Sequence, residues 1–146
     1  MSEQENKALN ERFFAQVFNA HNVDAIDELL SDDFVEHQEF PGFGHDRAEA
    51  KRFFAYMTQA FPDLHAEIHE MVASGDRVAI RSTFTGTHEG EFLGVPPTGK
   101  SVSVDGIDIV RVVDGRATDH WGIFDAMGMM QQLGVMPAPG AEQPTS

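Results

Sequence analysis

The chain has 146 residues, enough for one domain with a single core, and its 41% hydrophobic residues, among them 12 Phe, can fill that core. A formal net charge of −14 argues against binding to nucleic acid or to an anionic membrane surface. The absence of cysteine excludes disulfides, thiolate nucleophiles and zinc–thiolate sites. No segment is typical of a signal peptide or long enough to span a membrane, so we expect a cytoplasmic protein.

The first part of the chain favours helices. Ser2 and Glu5 have the spacing of a helix capping box, and apolar residues then recur at helical intervals. Asn22 is placed to cap a second, short helix. A further capping box that begins at Asp46 predicts a third helix, which Pro62 ends.

Strand patterns dominate the second part of the chain. Asp114 and Gly115 form a signal for a tight hairpin turn. Helices followed by long antiparallel strands are typical of an α+β fold, in which the Phe-rich helices bury against one side of a curved sheet and leave a conical pocket. We expect one domain over residues 1–136 and a disordered tail over residues 137–146. The predicted strands are 34–37, 64–72, 78–88, 102–113 and 116–124, and a short final helix covers 126–133.

Asp125 is the most informative candidate for chemistry, because apolar residues surround it on both sides. If strand 116–124 is regular, Asp125 shares a face with Trp121 and Ile123, which favours that face as the interior one. Burial among apolar groups raises the pKa of a carboxyl group and suits it to general acid/base work. Asp is equally well suited to cap a helix that starts at Ala126. Both roles stay open at this point.

His88 ends a largely apolar strand face at the start of the long loop 90–100. An imidazole in this position can pass on a proton or donate a hydrogen bond to a substrate carbonyl. The alternative is a surface histidine whose neighbours Glu89 and Glu91 are solvated.

Arg111 and Asp108 lie on opposite faces of strand 102–113, so only one of them can face a pocket. Arg111 is suited to neutralise an enolate or a carboxylate, and the alternative for both residues is a salt bridge on the outer face of the sheet. His37 and His120 are weaker candidates, and His120 can equally lie on the outer face beside Asp119.

The sequence contains no zinc-binding H-E-x-x-H motif, no phosphate-binding glycine loop and no G-x-S-x-G nucleophile elbow. A metal site built from His37, His88 and His120 is a further hypothesis that no motif supports. We therefore expect no metal.

Several segments together resemble the SnoaL-like polyketide cyclases, also called ester cyclases, within the nuclear transport factor two-like superfamily. The resemblance spans roughly residues 7–134. Its most specific parts are the Pro-Pro-Thr-Gly-Lys loop and the spacing from Trp121 to Asp125. The matching segments are Ala60–Leu64, Gly86–Phe92, Gly94–Lys100, Asp119–Trp121 leading to Asp125, and Gln132–Gly134.

This resemblance implies a cone-shaped α+β barrel, commonly a homodimer through its sheet, that uses no cofactor. It implies an enzyme that closes a ring by intramolecular aldol condensation of a polyketide ester, a reaction of the lyase or isomerase type. The family's acid/base Asp at the end of the last strand maps onto Asp125, and His88 falls in a Gly-Thr-His segment that lines the pocket. The expected substrate-binding residues are Phe14, Val17, His37, Met57, Phe61, Phe84, Phe92, Arg111 and Trp121.

Two other functions stay open, because one fold can carry several activities. The first is an isomerase or an epoxide hydrolase. The second is a small-molecule-binding or dimerisation domain without catalysis, which a pocket filled by Phe and Met side chains would favour. If the protein is an enzyme, the expected partner is a small apolar organic substrate.

Overall fold

A computed structural model describes residues 2–137 of the chain. Within them, no helix is both long enough and apolar enough to cross a lipid bilayer. Of the predicted disordered tail, residues 138–146 lie outside the described part. The helices and strands in chain order are α1 Glu3–Phe13 with a π-helical continuation Phe14–Asn19, a 3₁₀ turn Val23–Ala25, α2 Ile26–Leu29, β1 Leu30–Glu36, α3 Arg47–Ala60, β2 His65–Ser74, β3 Arg77–Thr87, β4 Ser101–Val113, β5 Arg116–Phe124 and α4 Ala126–Gln132.

Side-chain caps begin the two long helices as predicted. The Ser2 hydroxyl accepts a hydrogen bond from the Glu5 N–H at 3.0 Å, and the Asp46 carboxylate accepts one from the Glu49 N–H at 2.9 Å. The cap predicted at Asn22 is wrong, because its side chain makes no capping hydrogen bond and a 3₁₀ turn precedes α2 instead.

The five strands form one sheet in the order β1-β5-β4-β3-β2. Each of the strands β2 to β4 pairs antiparallel with the next one along the chain. Asp114 and Gly115 form the turn between β4 and β5, and their φ values of 51° and 79° are those that a primed two-residue β-turn requires. The chain therefore has the predicted α+β fold with its N-terminal helices and curved sheet. The long strands β2 to β5 are antiparallel as predicted, and the short edge strand β1 runs parallel to β5 and pairs Glu36 with His120.

The helices cover one face of the sheet and leave the other face open. Alternate residues of β3 and β4, such as Val78, Ile80, Val104 and Val112, are buried on the covered face. Two groups of buried apolar side chains fill this side, one under α1 and one around the loop that follows β3. The open face exposes large apolar side chains, namely Val72, Ile107, Ile109 and Ile123.

We predict that Gly90→Ala destabilises the fold by about 2–3 kcal/mol, because overpacking against backbone has no cheap relief. A Cβ at Gly90 would lie 2.3 Å from the carbonyl oxygen of Gln59 at the end of α3. Urea unfolding measures the loss. Gly75→Ala is the control, because its Cβ would meet open space. Only the strain of an alanine at a φ of +60° lowers its stability, by about 1 kcal/mol. Equal losses for the two variants would contradict the predicted clash.

Candidate active site

A cavity of about 170 Å³ lies between the helices and the covered face of the sheet. Phenylalanine is the commonest residue of its largely apolar wall, and an apolar wall strengthens any electrostatic interaction inside. Four of the predicted substrate-binding residues line it, namely Phe14, Met57, Phe84 and Phe92. Further aromatic wall residues are Phe13, Phe18, Phe34, Phe40, Phe43, Phe53, Phe54 and Phe124.

Three ionisable side chains meet at the polar end of this cavity. His120 on β5 lies between Glu36 and Asp108, with its Nδ1 2.6 Å from Glu36 Oε1 and its Nε2 2.7 Å from Asp108 Oδ1. The sheet register brings them together, since β1 pairs Glu36 with His120 and β4 pairs Asp108 with Gly122. We call Glu36, Asp108 and His120 the carboxylate–imidazole cluster.

The two carboxylates change the protonation of the imidazole. Burial lowers the pKa of His120, but the hydrogen bonds and charges of Asp108 and Glu36 outweigh it and raise the pKa to about 9. At neutral pH the ring is therefore an imidazolium that donates from both nitrogens. It holds Asp108 in a fixed orientation, as a charge-assisted hydrogen bond does.

A glycine makes this convergence possible. A Cβ at Gly122 would lie 2.6 Å from Asp108 Oδ1, 2.6 Å from Gln38 Oε1 and 2.8 Å from His120 Cε1. Any larger residue would push these groups apart. Gln38, on the chain segment that leaves β1, thus closes the polar end of the cavity over Gly122.

Asp125 does not reach this cavity, so its predicted position is wrong. Its side chain is exposed, and its Oδ1 accepts a hydrogen bond from the Gly128 N–H at 2.9 Å at the start of α4. It borders only the shallow groove on the open face of the sheet. The capping role, which the sequence left open, is the one that the structure displays.

The face of β5 that was predicted to lie inside is the one that faces outward. His120 and Phe124 line the cavity, and a Cβ at Gly122 would point at Asp108 and His120. Trp121 lies on the open face, with its ring stacked on His37 at 4.5 Å and beneath the Arg77 guanidinium at 4.9 Å. The predicted places of Trp121 and His37 in the pocket wall are therefore wrong.

Arg111 also lies on the open face, where its Nε donates to Asp76 Oδ2 at 2.8 Å. The position predicted for it in the pocket is wrong, and Asp108 faces the cavity instead. Val17 and Phe61, two other predicted wall residues, are completely buried in the core and do not line the cavity.

His88 is buried beneath the loop after β3 and does not line the cavity, which contradicts its predicted place in the pocket. Its Nδ1 accepts a hydrogen bond from the Thr98 N–H at 3.2 Å and lies 3.0 Å from Thr98 Oγ1. Its backbone N–H donates to Lys100 O, and the Gly99 N–H donates to its carbonyl oxygen. His88 therefore anchors the far end of the loop 90–100 to β3.

The metal hypothesis finds no support in the part of the chain described. Residues 2–137 contain no group of three or more His, Asp or Glu side chains arranged to hold a metal ion. His37 lies on the open face, His88 under a loop and His120 in the cavity, so the three histidines do not come together.

Comparison with known proteins agrees with this fold. Residues 8–133 match the sequence profile of the SnoaL-like polyketide cyclases. The chain belongs to the SnoaL-like polyketide cyclase family.

Individual proteins match the chain over most of their length. Aklanonic acid methyl ester cyclase DnrD of Streptomyces peucetius is 34% identical over 141 residues, which cover 91% of this chain and 94% of that protein. Among solved structures, AclR, a candidate hydroxylase from Streptomyces galilaeus, has 34% identity and a TM-score of 0.82 over 94% of this chain and 85% of its own. TsrD of Streptomyces laurentii has 26% identity and a TM-score of 0.85 over 93% and 99%.

We predict that the stability of this SnoaL-like protein falls as pH rises from about 6.5 to 9. The pKa of His120 is about 9 in the folded chain against 6.5 for free histidine, so its stabilising charge is fully present below pH 6.5 and is lost through pH 9. The loss is of the order of 3 kcal/mol in the free energy of unfolding. Urea unfolding at a series of pH values measures it, and NMR titration of the imidazole assigns it. Titration of the His120 ring near pH 6.5 would contradict the prediction.

Proposed function

We propose that this protein is a cofactor-independent acid/base enzyme that catalyses an aldol-type ring closure, or a related proton transfer, on a small apolar carbonyl compound. The observation that carries the proposal is the carboxylate–imidazole cluster at the end of a cavity walled by phenylalanine. Membership of a family with cyclases supports the same reaction class.

Asp108 is the proposed base. Its Oδ1 is held by His120, and its Oδ2 makes no hydrogen bond within residues 2–137, so Oδ2 is available to a substrate. Asp108 removes a proton from the carbon beside a carbonyl group, and the enolate carbon attacks a second carbonyl of the same molecule. A carbon–carbon bond forms, and the new alkoxide takes the proton back from Asp108. The product is an isomer of the substrate, and no other reactant is consumed.

His120 and Glu36 support this step without reacting. The imidazolium orients the Asp108 carboxylate through Oδ1, and Glu36 fixes the ring from its opposite nitrogen, as buried carboxylates do for catalytic histidines. The closed aromatic wall keeps water from the enolate.

The charge of the cavity favours a neutral substrate. Its described lining residues include no lysine or arginine, and the carboxylate–imidazole cluster carries one more negative than positive charge. A free carboxylic acid would be repelled, because like charges in a poorly solvated site interact strongly. A ketone or an ester has no such penalty, and DnrD is itself described as a methyl ester cyclase.

We predict that Asp108→Asn lowers turnover at least about 100-fold, because the amide cannot take up the proton. The assay is NMR detection of α-hydrogen exchange by a neutral aryl ketone, 1-indanone, in D₂O, followed by a panel of diketones and keto esters that can close a ring. Asp125→Asn is the matched control, since it makes the same change in the cap of α4 and Asn caps equally well. We expect it to keep wild-type turnover and stability.

Two results would count against the proposed acid/base role. Equal activity of wild type and Asp108→Asn would exclude Asp108 as the base. Loss of activity in Asp125→Asn alone would return that role to Asp125. Binding of ketones by wild type without exchange or ring closure would favour a small-molecule-binding domain, and turnover of epoxides alone would favour an epoxide hydrolase.

We also propose that two copies of the chain associate through the open face of the sheet. Ile123 is 79% exposed and Ile107 58% exposed, and they form an apolar row with Ile109. A row of this kind on a folded domain marks an interaction surface. The dimer that the resemblance implies uses the sheet in the same way. The cytoplasmic location stays a prediction.

We predict that Ile123→Glu converts a dimer into a monomer, because it would bury a charge at the centre of the interface. Light scattering coupled to size-exclusion chromatography measures the mass. Leu93→Glu is the control, since Leu93 is an exposed apolar residue of the loop after β3, away from the sheet face. A wild-type monomer, or a dimer that persists in Ile123→Glu, would contradict the proposed interface.

A further inference from the structure

We infer that the hydroxyl group of Ser82 binds the carbonyl oxygen of the substrate and is a specificity-determining residue of the cavity. This inference rests on the proposed function for the position of the reacting carbon at Asp108. It concerns a residue whose side chain is not part of the carboxylate–imidazole cluster.

Ser82 stands out by its burial and by its lack of a partner. It lies on the inner row of β3 between Ile80 and Phe84, is 8% exposed, and lines the cavity. Its cross-strand neighbours are Ile68 on β2 and Gly106 on β4, neither of which has a polar side chain. Within residues 2–137 its Oγ makes no hydrogen bond, and it is not one of the fully enclosed polar atoms without a partner, so this oxygen keeps accessible surface.

The adjacent residue on the opposite face shows the contrast. The hydroxyl of Thr83 donates to Asp105 Oδ1 at 2.6 Å and lies 2.7 Å from His69 Nε2. A hydroxyl group that stabilised the sheet would have hydrogen-bond partners of this kind. The unpartnered hydroxyl of Ser82 faces the cavity, so its free donor is directed at whatever the cavity holds.

The spacing between Ser82 and Asp108 fits one carbonyl group and its neighbouring carbon. Ser82 pairs with Gly106, so Asp108 is its diagonal neighbour, with Cα atoms roughly 7–8 Å apart. Side chains on one face of a sheet stand roughly perpendicular to it, so the polar ends of Ser82 and Asp108 are separated by a similar distance. A hydrogen bond of about 2.8 Å to the carbonyl oxygen and a contact of about 3–3.5 Å from the carboxylate to the α-carbon span a distance of that size. Gly106 leaves the floor between them without a side chain.

This arrangement gives the site a preference for ketones over hydrocarbons, which its apolar wall alone cannot give. Phenylalanine side chains bind a ketone and the matching hydrocarbon alike, whereas a buried donor that only a carbonyl can satisfy rejects the hydrocarbon. The same donor binds the enolate oxygen more strongly than the ketone, because charge develops there during proton removal.

The test compares binding of 1-indanone and of indane, its hydrocarbon counterpart, to wild type, Ser82→Ala and Thr83→Ala. We expect wild type to prefer the ketone, Ser82→Ala to lose about 3- to 10-fold of that preference, and Thr83→Ala to keep it. The infrared carbonyl stretch of bound 1-indanone should lie lower in wild type than in Ser82→Ala. Unfolding in urea should show Ser82→Ala as stable as wild type or more so, since no hydrogen bond is lost.

The outcomes separate this inference from the proposed function. An unchanged ketone preference and an unchanged carbonyl stretch in Ser82→Ala would overturn the inference, even if exchange at Asp108 proceeds. A lost preference together with a shifted stretch supports it, even if wild type shows no exchange. A marked loss of stability in Ser82→Ala, or binding of neither compound by wild type, would also overturn it.

Discussion

The hydrogen-bonded register of β1, β5 and β4 is the constraint on which the site depends. Parallel pairing at the sheet edge sets Glu36 beside His120, and the β4–β5 hairpin sets Asp108 beside Gly122. A slip of one residue would turn all these side chains to the opposite face. The tight turn between β4 and β5 and the register shift between Arg111 and Val112 together set the pairing of that hairpin, so features away from the cavity determine which groups meet inside it.

The elements of the fold were predictable from local signals, whereas the orientation of β5 was not. Caps at Ser2 and Asp46 act over four residues and are visible in the sequence. The inference that Trp121 must face inward failed because its ring is covered on the open face by His37 and Arg77. In a protein whose interior is a cavity and whose outer sheet is apolar, hydrophobicity alone does not distinguish the two faces.

A usable signal for the site was nonetheless present on β4. The row from Val102 to Val112 is apolar or glycine at every second position except Asp108, and a single carboxylate in such a row has to be partnered inside the fold. Its partner His120 is apparent only after the strands are paired, because the two residues lie on different strands. Family resemblance identified the fold correctly but directed attention to Asp125, which serves α4.

The carboxylate–imidazole cluster and Ser82 belong to strands, while the residues that α1 and α3 contribute to the cavity are mostly apolar. Backbone hydrogen bonds between strands fix the relative positions of the strand residues. The side chains that the helices contribute to the cavity wall can therefore change in volume without moving those residues. Chemistry and shape are thus encoded in separate parts of the chain. Mutant libraries confined to Phe14, Phe54 and Met57 should therefore alter which ligands fit the cavity while the carboxylate–imidazole cluster stays intact, which makes the fold a suitable scaffold for directed evolution.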